Sequence, residues 1–162
     1  MKQQFGRRYY DNLWQAGREL IWPLGHRRQL RLALRGELIS VAFRERLMLV
    51  VTAVNACRYC AYYHAQQARR ADLPEAEIRQ MLAGDLQQAP AAELPALLYA
   101  QEWAQHDGRP DPAARQRLQD TYGLPQAEAI EVILRLIRLG NLGGNTLDYW
   151  LYRLSWGRLG NG

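Results

Sequence analysis

Only two cysteines occur in this sequence of 162 residues, and they stand three positions apart. A structural disulfide framework spreads its cysteines along the chain, so the sequence encodes none. In a cytosolic protein, a lone Cys-x-x-Cys reads as redox-active or metal-binding. Long apolar runs are also missing. The longest, residues 47–57, is interrupted by Thr52 and Asn55 and is too short to cross a bilayer. Residues 1–10 are polar and basic and lack the apolar centre of a secretory signal. These absences point to a soluble, cytoplasmic protein with no membrane partner. Alternating β-branched runs are nearly absent as well, which argues against a sheet. With no repeat, low-complexity tract or long linker, the chain reads as one domain over residues 1–162.

What remains is helical. Hydrophobic residues make up 48% of the chain, enough to bury a core. Ala, Leu, Arg, Gln and Glu dominate, so the expected fold class is all-α. Tyr10, Leu13 and Trp14 share a face of a first helix, which Pro23 and Gly25 interrupt. An Arg-rich helix follows over about residues 27–35. Leu47, Val50, Val51 and Val54 form the stripe of a core-facing helix. Asn55 suits its end and the N-cap of the next helix. Pro74 opens and Gly84 closes a further helix, and Asp111-Pro112 and Leu124-Pro125 mark two more starts. The Gly143-Gly144 pair predicts a break, with Asn145 or Thr146 capping a last helix that carries Leu147, Trp150, Leu151 and Leu154. The run of residues 140–145 therefore reads as stop, turn and cap. It does not read as a phosphate loop, for it lacks a Lys-Ser/Thr ending and a preceding strand.

The net charge of +5 is uneven, with ten basic and four acidic residues among the first 46. A basic arm can contact nucleic acid or an acidic partner. No recognition motif accompanies the charge, so a solvated helix surface or an arm packed on a neighbouring subunit is the preferred reading. His26 and His106 have no patterned partners and read as surface residues.

The chemistry concentrates in Cys57, Cys60 and His64, spaced i, i+3, i+7 on one helix face. His64 lies one turn from Cys60. If Asn55 caps the helix, both cysteines occupy its first turns, where free N–H groups favour a thiolate. A thiolate attacks peroxides or disulfides, and the second cysteine can resolve the product. Glu45 lies twelve residues before Cys57, roughly 18 Å away along a straight helix at about 1.5 Å per residue. A helical hairpin turning near Val54-Asn55 instead brings Glu45 to the height of His64, where its carboxylate could orient the ring. Three plainer readings stand beside this one. The cysteines could be core residues. Cys57, Cys60, His64 and Glu45 could be zinc ligands, although structural zinc sites more often use two separated pairs. Glu45 could belong to a solvated ion-pair cluster with Arg44 and Arg46.

The run from Arg44-Glu45-Arg46-Leu47 through Asn55-Ala56-Cys57-Arg58-Tyr59-Cys60-Ala61-Tyr62-Tyr63-His64 resembles the alkylhydroperoxidase D-like family of the carboxymuconolactone decarboxylase superfamily. That family's signature is Glu, eleven residues, Cys, two residues, Cys, three residues, His, and Glu45, Cys57, Cys60 and His64 match every spacing. The resemblance is strongest over about residues 40–85, flanked by a basic helical arm over about 1–40 and C-terminal helices over about 90–157. It implies an all-α fold around a helical hairpin that carries Cys-x-x-Cys-x-x-x-His, assembled as a trimer or hexamer. It also implies reduction of organic hydroperoxides through a Cys57/Cys60 dithiol–disulfide cycle, with no bound cofactor or metal. In that cycle Cys60 is the peroxidatic thiol. Cys57 is the resolving thiol and the entry point for reducing equivalents. His64 and Glu45 form the proton relay. The implied partners are a hydroperoxide or disulfide substrate and a thiol reductant, either a dithiol such as lipoamide or a thioredoxin-like protein. There are two departures from the family's pattern, of which only the first bears on the chemistry. Tyr59 stands where the best-known family peroxidase has a histidine, which favours thiol–disulfide exchange over peroxidase turnover. Asp72 stands where the family often has Gly, a position Asp tolerates in a left-handed conformation. The lactone decarboxylases of the superfamily generally lack the cysteine pair. Tyr59, Tyr62 and Tyr63 could form an apolar mouth or pack in the core. Trp150 and Trp156 read as packing or interface residues.

Overall fold

The computed structural model describes residues 5–160. Residues 1–4, the start of the expected basic arm, lie outside the described residues, as does the side chain of Leu13. The described residues form eight α-helices and no strand, so the all-α expectation holds. No helix among them is long and apolar enough to cross a membrane.

The centre of the fold is α3 (Val41–Asn55). Ser40 caps it, its hydroxyl accepting from the Phe43 N–H at 3.1 Å. Phe43, Leu47, Leu49, Val50 and Val51 are all buried. A helix apolar around most of its circumference belongs inside a bundle. It packs against α4 (Arg58–Arg70), α5 (Glu75–Leu82), α6 (Leu94–Gln105) and α8 (Leu124–Leu154). Helix α7 (Pro112–Tyr122) joins the far side against α6 and α8, capped by Asp111 on the Ala113 N–H. Helices α1 (Leu13–Gly25) and α2 (Arg27–Leu34) lie against α8. Asn12 caps α1, and Pro23 sits inside its last turn without ending it. Tyr10 precedes α1 rather than sharing its face, and its hydroxyl donates to Glu19 at 2.6 Å.

The turn before Pro74 places Asp72 at φ +61°, in the left-handed region anticipated for it. Two other expectations fail. The Gly143-Gly144 pair breaks nothing: α8 runs unbroken from Leu124 to Leu154. Asn145 and Thr146 are therefore interior residues and not caps. Each glycine costs a helix about 1 kcal/mol relative to alanine, but tertiary packing outweighs that here, because α8 must approach α3 and α4 closely. Nor is Asn55 the N-cap of α4. It is the last residue of α3. Ala56 reverses the chain in a left-handed conformation at φ 53°, and Cys57 itself is the cap.

Candidate active site

Capping by Cys57 places its sulfur over the open N-terminus of α4. The Cys60 N–H points at Cys57 Sγ at 3.4 Å, and the two sulfurs lie 2.8 Å apart. Both cysteines are free thiols. The Cys57 thiol is pushed down from 9.0 to about 7. The chief cause is the hydrogen bond donated by the Cys60 S–H. The backbone N–H groups of Cys60 and Tyr59 help, and burial and the Asp148 carboxylate oppose. Cys60 is pushed strongly up, because it holds the shared proton, is partly buried and faces the charge on Cys57. Of the two sulfurs, Cys57 is therefore the one that gives up its proton first and Cys60 the one that keeps it.

Cys57 ionises in the folded chain near pH 7 and in the unfolded chain near 9.0. Its depressed value contributes stability that is present above 9.0 and lost as pH falls through about 7. The raised Cys60 value acts oppositely, and its contribution is lost above the unfolded value of 9.0. The urea midpoint should therefore rise from pH 7 to 9 and then decline. A Cys57→Ser/Cys60→Ser double variant should show no such hump. The same profile in both proteins would exclude the ionised pair.

Glu45 and His64 meet across the hairpin: Glu45 Oε2 lies 2.8 Å from His64 Nδ1. Glu45 is 2% exposed, so it belongs to no solvated cluster. Its other oxygen accepts from Arg44 at 3.1 and 3.2 Å. Arg46 turns away to Glu77, at 2.6 Å, and Glu93. An Nδ1–H donated to the carboxylate leaves Nε2 as the basic nitrogen of the ring. His64 and Cys60 line a common cavity of about 320 Å³, with Met48, Leu136 and Ile137 as apolar wall. Of the three tyrosines, Tyr63 lines this cavity and Tyr62 is exposed. Tyr59 is turned away, its hydroxyl donating to Asp148 at 2.8 Å. Among the described residues, no three His, Cys, Asp or Glu side chains converge where a metal ion could sit.

The remaining wall comes from α8, and it escaped the sequence reading. Gly140 and Gly144 face the cysteines: a Cβ on Gly140 would stand 3.9 Å from Cys60 Sγ, and one on Gly144 only 2.9 Å from Cys57 Sγ. Buried Asn141 donates to Thr52 at 3.1 Å and accepts from Asn55 at 3.3 Å. Buried Asn145 donates to the Asn55 carbonyl at 2.7 Å, satisfying the open C-terminal end of α3. Asp148, 0% exposed, accepts from Tyr59, from Arg58 at 2.7 Å and from Arg7 at 2.7 Å. The signal was present. Residues 140 and 144 are small, and 141, 145 and 148 are polar at helical spacing, which marks a face rather than a loop.

This close approach has a measurable consequence. Gly144→Ala gains about 1 kcal/mol of helix propensity but overpacks the Cys57 sulfur at a typical cost of about 1–3 kcal/mol. It should lower the melting temperature. Gly143→Ala meets nothing within 4 Å and should raise it. Equal shifts for the two variants would exclude the contact.

Residues of the basic arm are partly spent inside the fold. Arg7 pairs with Asp148 and also donates to the Gly160 carbonyl, while Arg8 donates to the Ala104 and Gln105 carbonyls. His26 is half-buried, its ring stacked on Trp22, whereas His106 is exposed. Trp150 and Trp156 are exposed.

The profile of the carboxymuconolactone decarboxylase family matches residues 26–106, half of the chain, including Glu45, Cys57, Cys60 and His64. No curated protein and no solved structure matches the sequence.

Proposed function

Since this chain belongs to the carboxymuconolactone decarboxylase family, we propose that it is a dithiol oxidoreductase of the alkylhydroperoxidase D-like kind, reducing organic hydroperoxides through Cys57 and Cys60. One observation carries the reading. The Glu45–His64 pair, closed at 2.8 Å, shares a cavity with Cys60, whose sulfur is 2.8 Å from that of Cys57. A lactone decarboxylase has no use for two sulfurs in contact.

In the proposed cycle, the Cys60 proton passes to the Cys57 thiolate, leaving a Cys60 thiolate at the cavity. That thiolate attacks the terminal oxygen of the hydroperoxide. The O–O bond breaks, Cys60 becomes a sulfenic acid, and the alkoxide leaves as an alcohol with a proton that His64 takes up from solvent and passes on. Cys57 then attacks the Cys60 sulfur and gives its proton to His64. The S–S bond forms, and hydroxide departs as water with that same proton. An external dithiol reduces the disulfide and becomes a disulfide itself, and the proton taken up in the first half returns to solvent. Glu45 holds the His64 ring and balances its charge. Cys57 is 1% exposed, so we place the attack of the reductant at Cys60 rather than at Cys57. A homo-oligomer in the cytoplasm, with lipoamide or a thioredoxin-like protein as reductant, fits this cycle.

The test follows thiols and intact mass after anaerobic reduction and one equivalent of cumene hydroperoxide. Rapid loss of both thiols, with loss of two hydrogens from one chain, supports the peroxidase. A second reading, thiol–disulfide exchange without efficient peroxidase turnover, draws on Tyr59, whose hydroxyl is held by Asp148 and carries no proton to the cysteines. It expects slow reaction with the peroxide and fast reaction of the reduced pair with oxidised lipoamide. Thiols that persist against both reagents would overturn both readings.

A further inference from the structure

On the other side of α8 from the cysteines, a second cavity of about 340 Å³ opens between α1, the end of α6 and α8. Its size is that of small-ligand sites. Four arginines line it: Arg18, Arg109, Arg135 and Arg138. Only Arg138 is neutralised. It is nearly buried and holds Glu19 at 2.6 Å and Asp107 at 2.5 Å. Among the described residues, no carboxylate pairs with Arg18, Arg109 or Arg135. The two acids that line the cavity are thus taken by one arginine, and three guanidinium groups are left over. Trp22 and Trp103 supply apolar wall. Arg135 stands over the Trp22 ring at 5.5 Å from its centroid, a contact that orders the guanidinium before any ligand arrives.

The backbone here is shaped to match. Asp107 has φ 58°, a conformation that costs a non-glycine residue free energy. It aims the carboxylate at Arg138. Gly108 follows at φ +77°, and a Cβ there would stand 3.2 Å from the Trp103 ring. The loop therefore closes tightly on Trp103.

We propose that this cavity binds a small organic acid with a ring-bearing apolar body, its anionic group held by Arg109 and Arg135. Unpaired guanidinium forks recognise planar carboxylates, and phosphates in the same way. The tryptophan wall rejects small hydrated anions in favour of a molecule with apolar surface. The volume admits one or two fused rings. The site uses neither cysteine, so it stands or falls separately from the redox chemistry.

The experiment is a titration of the full chain with 2-naphthoate, 2-naphthyl phosphate, neutral 2-naphthalenemethanol and inorganic phosphate. It reads the indole N–H resonances of Trp22 and Trp103, assigned through Trp→Phe variants. Saturable shifts are expected with one or both naphthyl anions, and the preferred one names the acid group. Neutral 2-naphthalenemethanol and inorganic phosphate should bind at least tenfold more weakly. Arg109→Gln and Arg135→Gln, both at exposed positions, should each weaken the anion about tenfold and leave the fold intact. The Cys57→Ser/Cys60→Ser protein should bind as the parent does. Equal binding of the neutral alcohol, indifference to both arginine variants, or loss of binding in the cysteine variant would each overturn the proposal.

Discussion

Cys60→Ser is expected to abolish peroxide-driven disulfide formation, lowering its rate by three orders of magnitude or more, on the order of what loss of a nucleophile costs elsewhere. Serine keeps nearly the same volume, so the helix and its packing should survive, as circular dichroism would show. The hydroxyl is a far weaker nucleophile at neutral pH than a thiolate. Cys57→Ser should behave differently. It removes both the sulfur that accepts the Cys60 proton and the one that resolves the sulfenic acid. The first oxidation then slows, and the mass should rise by one oxygen, with no disulfide formed. This pair of outcomes assigns the two sulfurs. If Cys57→Ser stops all oxidation while Cys60→Ser still gains an oxygen, the depressed Cys57 thiol is the attacking group and the roles are reversed.

Glu45→Gln should leave the chain folded and cut the peroxide reaction by about 10²–10³-fold, within the usual range for a proton-transfer element. The amide can still accept from the His64 Nδ1–H across the 2.8 Å contact. It no longer balances an imidazolium, and it leaves Arg44 without its carboxylate. The loss should fall on kcat rather than KM, because Glu45 supports the proton transfer rather than the binding of substrate. Measuring kcat and KM beside the melting temperature separates this effect from simple destabilisation. An unchanged kcat with a lower melting temperature would reduce Glu45 to a structural residue. Exchange with oxidised lipoamide, which has no alkoxide to protonate, should suffer less.

Local chemistry made much of the fold readable. Pro74, Asp111-Pro112 and Leu124-Pro125 each stand at a helix start, and Gly84 and Gly123 each follow a helix end at positive φ. These signals depend on residues within a few positions, which a sequence displays directly. The hairpin register was readable for a related reason. Glu45 and His64 are nearly equidistant from the turn, and one reversal near Asn55 suffices to join them.

The sequence by itself determined the all-helical class, several helix starts, the hairpin, and the Glu45–Cys57–Cys60–His64 set with its spacing. Only the tertiary structure decided what surrounds that set. It kept α8 unbroken through Gly143 and Gly144, and a helix lying on the Cys57 sulfur has no room for a Cβ at 144. It turned Asn141 and Asn145 from apparent turn and cap residues into buried partners of α3, and it buried Asp148 against Arg58 and Tyr59 of α4. It made Cys57 the cap of α4 and set its sulfur against that of Cys60, and the two together lower the Cys57 pKa. The division has one physical cause. Propensity and capping act along the chain and amount to about 1 kcal/mol each, whereas close packing and burial act across it and override them.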